Sequence, residues 1–377
     1  MKVNRESFLN CLESVQPGLS SREIIEQSNC VAFKDGWAFT YNDEIACRAP
    51  SPLDESVVGS VRAEKLLELL RLLPEEELRI EAKGDKLTVA GKGRKGVFSM
   101  EAEVTLPIDD LEMPEEWTKL PDDFGDAIKV VQQCASTDQK GKKLLTNVHI
   151  HPKWVEASDN FQVCRWKMKT AVSQPILVQQ SSIKWVPQLG MTEFAESDSW
   201  MHFRNPAGLV LSCRCYLDEF SNMTKELDVE GEKVSLPKGL VEAAAKAKLF
   251  SSENPDSDRV LVEIGAGKVR VKGTGVSGYY VEVKKVGYAG PELAFFIKPE
   301  LLSDIVTRHN ECVVNPKRMK VDTGSYVYVA CLKPATEVAP VDETEEAGTD
   351  AEDAKEELKV AETRAKKRST KKDEEEE

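Results

Sequence analysis

His149 and His151 are the first residues in the chain whose type and spacing could do chemistry. In the strand-like stretch NVHIH, two imidazoles share one face and could begin a metal site. No acidic or cysteine ligand follows at zinc-like spacing, so the pair reads as packing. Cys213-Arg-Cys215 lies on a strand pattern and is not a CxxC at a helix start, so it too reads as packing, not redox chemistry. GAGK (265–268) and GTGVSG (273–278) look like phosphate loops. Neither has the GxxxxGKS/T spacing, and both sit in strand-rich sequence, so they read as hairpin turns. GxSxG, HExxH and paired-carboxylate contexts are missing, and only four histidines occur. This residue chemistry supports no enzyme, no metal and no cofactor.

A second chemistry remains, the neutralising of phosphate charge without readout of bases. In AEKLLELLRLL (63–73), Lys65, Glu68 and Arg71 share the face opposite the leucines. Lys129, Gln132 and Gln133 face away from Phe124, Ile128 and Val131, and the following DQKGKK adds Lys140, Lys142 and Lys143. Lys238, Lys246 and Lys248 avoid the apolar stripe of a third such helix. Singly, each is a solvated face. On equivalent helices lining a common channel, they would form a basic wall.

The elements that must position these residues recur three times. Apolar helix patterns begin at Phe8 (with Leu12, Val15), at Phe124 (with Ile128, Val131) and at Leu240 (with Ala244, Ala247), each 116 positions after the last. A second helix follows in each unit: AEKLLELLRLL, SSIKWVPQLG (181–190), which Pro187 interrupts, and PELLSDIVTRH (299–309). Leu-Pro pairs at 120–121 and 236–237 lead into the helices of units two and three. Strand-like pairs around DG, HPK and GAGK turns separate the two helices, and a further hairpin follows the second. Trp37 and Trp154 hold the same place in units one and two. A period this long is a whole domain, not a solenoid unit. The expected fold is α+β, three repeated domains each packing two helices on antiparallel sheets. The expected boundaries are 1–119, 120–235 and 236–334, followed by a disordered charged tail over 335–377.

Bulk properties fit an intracellular protein. The chain has 377 residues, 41% of them hydrophobic, and no apolar run near the ~20 residues of a membrane span. The N-terminus lacks an apolar signal-like segment. Nine scattered cysteines, with no CxxC, read as reduced thiols in the cytoplasm. Net charge is −14, of which −8 falls after Ala335. An acidic surface argues against simple coating of nucleic acid but leaves room for one basic inner face.

Several segments, in order, resemble the bacterial-type DNA polymerase III beta sliding clamp. They are MKVNRESFLNCLESVQ, PGLSSRE, VRAEKLLELLRLLPEEELRI, DQKGKKLLTNV, EASDNFQVCRWKM, FFIKPELLSDIV and YVYVACLKP. The resemblance covers residues 1 to about 334 and suggests a divergent, phage-encoded member. It implies half of a closed ring, completed by head-to-tail homodimerisation, that encircles duplex DNA and slides. It also implies a replicative DNA polymerase and a clamp loader as partners, and no membrane. Arg22, Lys65, Arg71, Lys129, Lys140, Lys142, Lys143 and Lys246 would then face DNA. A peptide pocket for partners would use Leu145, Ser158, Asn160, Phe161, Gln162 and Val163 of the second domain. From the third domain it would take Ile297, Glu300, Val329, Cys331 and Leu332. The family's Gly-His-Arg-Leu is Asn160-Phe161-Gln162-Val163 here, and its closing Met-Pro-Met is Ala330-Cys331-Leu332, so the pocket should prefer a different peptide. Leu111 and Met113 would lie at the dimer contact. The alternative is a ring or scaffold that binds proteins without encircling DNA.

Overall fold

The computed structural model describes residues 1–111, 113–138, 140–253 and 258–335. The tail expected over 335–377 lies outside them apart from Ala335. The helices are α1 (Arg5–Ser14), α2 (Ala63–Leu72), α3 (Phe124–Val131), α4 (Gln180–Ile183), α5 (Trp185–Gln188), α6 (Thr224–Leu227), α7 (Leu240–Ser251) and α8 (Pro299–Arg308).

The helix stripes expected from sequence are the cores. Phe8, Leu12 and Val15 are fully buried, as are Leu240, Ala244 and Ala247, while Phe124, Ile128 and Val131 are buried almost as completely. Burying each large side chain of this kind contributes about 1.5–3 kcal/mol. Local chemistry sets the helix ends. Asn4 caps α1 by accepting from the Ser7 amide at 2.9 Å, and Pro299 opens α8 where a missing N–H costs little. Pro187 has no N–H to give the Ile183 carbonyl and its ring crowds that carbonyl. The second helix of repeat two accordingly breaks at Lys184 into α4 and α5.

The strands are more numerous than the expected pairs. Each repeat runs short strand, helix, four strands, helix, three strands, with α6 added after repeat two and a two-residue strand, Lys333–Pro334, added at the end of repeat three. In repeat one the four are Cys30–Lys34, Trp37–Tyr41, Ile45–Pro50 and Gly59–Arg62, and the three are Glu77–Lys83, Lys86–Gly91 and Arg94–Glu101. The expected DG turn is present, with Asp35 and Gly36 both at positive φ (52° and 73°), as a two-residue hairpin turn of right-handed twist requires. Further turns at Asp43 and Asn160, non-glycine residues that also adopt positive φ, add the extra strands.

The described residues form two compact units. One holds Met1–Gly231 and Cys312–Cys331, the other Glu232–Glu311 and the chain from Leu332. In the first, repeats one and two share a sheet through Val210–Tyr216 beside Ile45–Pro50, with Leu211 opposite Cys47. In repeat three the strand Tyr326–Cys331 joins the same unit by pairing antiparallel with Gln162–Lys167, Val163 opposite Val329, and the short strand after it, Lys333–Pro334, pairs with Leu293–Ile297 in the second unit. In the second unit, α7 packs on the strand Lys268–Gly275. A Cβ at Gly273 would overlap the Ala247 carbonyl, and one at Gly275 the Phe250 carbonyl. The glycines that resemble a phosphate loop therefore serve helix–strand approach.

Candidate functional site

Two surfaces collect most of the candidate residues. The first is the polar side of the helices. Along α2, Arg62, Arg71, Glu64 and Glu68 line an open groove of about 490 Å³ with Gln16, Ser20, Ser21 and Asn29. Most of the helix cations expected to face DNA have a carboxylate within reach. Lys65 meets Glu68 at 2.8 Å, Arg71 meets Glu13 at 2.9 Å, and Lys129 meets Asp126 at 3.0 Å. In the second unit, Lys246 meets Glu282 at 3.1 Å. Hydrogen bonds from Lys284 and Tyr280, with Lys246 adding to them, hold the Glu282 carboxyl down to about 2. The Lys65–Glu68, Arg71–Glu13 and Lys129–Asp126 pairs are open to water and salt, so a phosphate could displace their carboxylates at little cost. Arg22 is exposed in the loop before Cys30–Lys34. Lys140 donates its amide to Asp138 Oδ1 at 2.9 Å, and Lys143 opens a 3-10 turn, Lys143–Thr146.

The second surface is a cleft of about 300 Å³ in the first unit. Seven of the eleven residues expected to form a peptide pocket line it: Leu145, Ser158, Asn160, Gln162, Val163, Val329 and Cys331. Its floor is the apolar cluster Val163, Leu227, Val229, Val327 and Val329, with Met223 packed against it. The turn before strand Gln162–Lys167 shapes one wall. Asn160 takes φ 79°, Asp159 Oδ1 accepts from the Phe161 and Gln162 amides, and Ser158 Oγ donates to the Gln162 carbonyl at 2.8 Å. Gln162 itself is fixed, its amide nitrogen donating to Asp159 at 3.0 Å and its oxygen accepting from Tyr328 Oη at 2.8 Å.

The remaining expected pocket residues lie elsewhere. Phe161 stands at the turn tip, 38% exposed, its carbonyl accepting from the Cys331 amide at 2.7 Å. Ile297, Glu300 and Leu332 belong to the second unit, where Ile297 is buried and Glu300 pairs with Lys248 at 2.6 Å. Sequence reading missed Leu144, Ser221, Met223, Glu226 and Arg318, and assigned Lys142 to DNA alone. Arg318 Nη1 donates to the carbonyls of Lys225 (3.0 Å) and Glu226 (3.4 Å). It thereby ties strand Arg318–Asp322 to α6 and builds the opposite wall. The only sequence signal for that wall was the Thr-x-Glu start at 224–226.

On the same sheet face as the cleft residues Ser158 and Val163 lies a buried polar network. Glu156, 1% exposed, accepts from Trp154 Nε1 at 2.9 Å and Arg165 Nε at 2.7 Å, and its Oε1 is 2.8 Å from His149 Nδ1. Burial opposes ionisation of Glu156, but the hydrogen bond with His149, the charge of Arg165 and the bonds from Arg165 and Trp154 outweigh it and hold the carboxyl below its usual range. Arg165 Nη1 reaches Thr224 Oγ1 at 3.2 Å, linking the network to α6. His149 is thus committed to Glu156, and His151 stacks on Trp154 with ring centres 3.7 Å apart. Among the described residues no group of three or more His, Cys, Asp or Glu is placed to hold a metal. None of the nine cysteines is in a disulfide, and burial raises the Cys215 thiol to about 11 and that of Cys213 further.

Leu111 and Met113, expected at a dimer contact, sit within the chain. Leu111 is buried with Tyr41, Ile108 and Trp200, and Met113 packs against that cluster. No helix of the described residues is long and apolar enough to cross a membrane.

No protein-family model and no curated protein matches the chain. Solved structures do. The DNA polymerase III beta chain of Streptococcus pneumoniae TIGR4 superposes with TM-score 0.75 at 15% identity, covering 88% of this chain and 98% of its own. The beta subunit of Pseudomonas aeruginosa gives 0.73 at 15% identity, covering 89% and 99%. The DNA polymerase sliding clamp of Bacillus subtilis gives 0.72 at 13% identity, covering 90% and 99%. The three-repeat α+β fold is the fold of these clamp subunits.

Proposed function

We propose that the chain is a DNA sliding clamp, a non-enzymatic processivity factor in which two copies close head to tail around duplex DNA. The observation that carries the reading is the superposition on clamp chains over 98–99% of their length, with the threefold repeat preserved. The proposed domains are 1–119, 120–235 and 236–334. Two strands suit ring closure. Arg94–Glu101 pairs with Lys86–Gly91 on one side, and among the described residues only Met100 and Glu101 have partners on the other. Gly278–Lys285 pairs with Lys268–Gly275 alone among the described residues. These edges carry the exposed Val97 (51%) and Val283 (39%), and an open edge is a template for a second chain. Pairing one edge with the other edge of a second copy is a heterologous contact that can close a ring. This moves the dimer contact from Leu111 and Met113 to the strand edges.

In this reading Lys65, Arg71, Lys129 and Lys246 exchange their carboxylates for backbone phosphates, and Arg22, Lys140, Lys142 and Lys143 add further phosphate contacts, giving weak, sequence-independent and salt-sensitive contact. The cleft takes a short peptide of a replicative polymerase or clamp loader in the bacterial or phage-infected cytoplasm. The ion-paired state of the cations gives the alternative, a protein-binding ring off DNA, its one specific support. Loading on a nicked circular duplex decides between them. A clamp stays on the circle through a salt wash and runs off once the circle is cut, unless the ends are blocked. Arg22→Glu/Arg71→Glu/Lys142→Glu/Lys143→Glu should abolish retention while leaving a folded dimer. Equal retention on cut, blocked and circular DNA would eliminate the sliding clamp.

A further inference from the structure

The cleft of the first unit holds a carboxylate that is short of a partner. Glu226 lines it together with Lys142 and Arg318, and Glu226 Oε2 is shielded from water with no hydrogen-bond partner among the described residues. Arg318 does not serve that oxygen, since its Nη1 is turned to the Lys225 and Glu226 carbonyls. We propose that the cleft selects a peptide carrying an arginine or lysine beside its apolar anchor, and that Glu226 is the residue that reads the cation. The inference rests on the reading of the cleft as a peptide site.

The surroundings decide which charge counts. Lys142 is exposed, and charges open to water are screened within about 8–10 Å at ordinary salt. The Glu226 oxygen is out of water, where a missing hydrogen bond is costly and one from a cation is among the strongest available. A cationic side chain therefore gains more at Glu226 than it loses to Lys142. The wall adds to this. From Leu217 to Gly231 five carboxylates accompany one lysine, and Asp218, Glu219, Asp228 and Glu230 are exposed. On the strand Gln162–Lys167, Gln162 stands where the resembled family has arginine, so one cation fewer opposes such a ligand.

Repeat one shows the same place already filled. Ala46 faces Ser212 as Val163 faces Val329, and Trp200 faces Arg214 as Arg318 faces Cys331. There the groove closes on itself. Tyr41 and Trp200 are buried with Leu106 and Leu111, and Arg214 lies 4.6 Å from the Trp200 ring centre with Nη2 2.8 Å from Asp43 Oδ1. Repeat two has Cys331 in place of Arg214 and Ser158 in place of Tyr41. The frame thus accommodates a guanidinium beside a carboxylate at this point, and repeat two leaves that place to a ligand.

Synthetic peptides test the selection on the full-length protein. The probes are Xaa-Leu-Val-Leu-Xaa with Xaa arginine, glutamine or glutamate, each with an N-terminal fluorescein and a C-terminal amide, followed by fluorescence anisotropy. The arginine peptide should bind about tenfold more tightly than the glutamine peptide, and the glutamate peptide more weakly than either. In Glu226→Gln the arginine advantage should fall below about twofold while glutamine-peptide binding is unchanged, which also shows an intact cleft. Asp228→Asn removes an exposed charge near the cleft and should leave the advantage in place. No arginine advantage, one undiminished in Glu226→Gln, or no binding of the arginine peptide at about 1 mM overturns the proposal. The cleft reading is judged separately: Ser158→Tyr in the full chain should abolish polymerase tethering while DNA retention persists. A cleft indifferent to arginine therefore leaves that reading standing, whereas an ineffective Ser158→Tyr removes it.

Discussion

Repeats one and two place an arginine over a tryptophan at the same point of the same sheet frame, and then treat its charge in opposite ways. Arg48 lies 3.8 Å from the Trp37 ring centre, and Arg165 lies 4.5 Å from that of Trp154. The registers correspond: Ala32 faces Phe39, which faces Arg48, as His149 faces Glu156, which faces Arg165. Repeat one therefore has Ala32 and Phe39 where repeat two has His149 and Glu156. Arg48 is left with ring contacts, its Nε buried without a hydrogen-bond partner, and burial lowers its pKa. Arg165 instead has a buried carboxylate and a bond to Thr224 on α6. One backbone frame thus tolerates either solution. The ionic one appears where a wall of the cleft must be held. Buried ion pairs seldom stabilise more than apolar replacements do. The return on the repeat-two network is then placement of α6, and with it Met223 and Glu226 at the cleft.

Removing the carboxylate should break the symmetry most sharply. Glu156→Ala strands the Arg165 charge and the His149 ring in a buried site, and should cost about 3–5 kcal/mol. Urea unfolding of the full chain measures it. A cost below about 1 kcal/mol would mean that water already serves Arg165, and that the two repeats differ less than their registers imply.

Acid should separate repeats one and two next, because His202 and Glu156, both buried with shifted pKa, lie in repeat two. His202 is fully buried between Ser197 and Ser212, and burial drives its pKa down to about 4 from 6.5. Its folded pKa lies below the unfolded one, so the unfolded chain binds the proton first. Stability is unaffected above pH 6.5 and falls as pH drops toward 4, by about 3 kcal/mol at most. Glu156 acts lower. Its depressed carboxyl contributes stability above the unfolded carboxylate value, lost only as pH falls through the folded one. Urea midpoints between pH 7.5 and 4.5 should therefore decline in the unaltered chain and run flatter in His202→Asn. Parallel declines would assign the acid loss to another group.

Most of this frame was legible in the sequence because helix stripes repeat with whole-domain spacing and bury as whole units. Phe8, Phe124 and Leu240 mark it, and Pro187 forecast the break between α4 and α5. Strand number was not legible, since turns at Asp43 and Asn160 depend on non-glycine residues adopting positive φ, which alternation does not reveal. The cleft was half legible. Residues on the paired strands Gln162–Lys167 and Tyr326–Cys331 followed from the resemblance. Met223, Glu226 and Arg318 did not, because a four-residue helix and a tie between residues 92 or more positions apart leave no periodic trace. The carboxylate partners of the cations were visible only where they lie three positions away on one helix, as Glu68 does from Lys65.

Arg48 gives the smallest and most discriminating test. If its charge only occupies space over Trp37, Arg48→Met should change stability by no more than about 1 kcal/mol, and should err toward stabilisation, since a buried donor without a partner is removed. Methionine keeps the length and the ring contact in a site bounded by Phe39, Ile108 and Met113. Arg165→Met in the second repeat leaves Glu156 buried without its cation and should cost several times more. The ratio of the two losses, measured by urea unfolding under one buffer, is the comparison reduced to a number. A ratio near one would show that Arg48 has an acceptor in solution and that the repeats handle the charge alike.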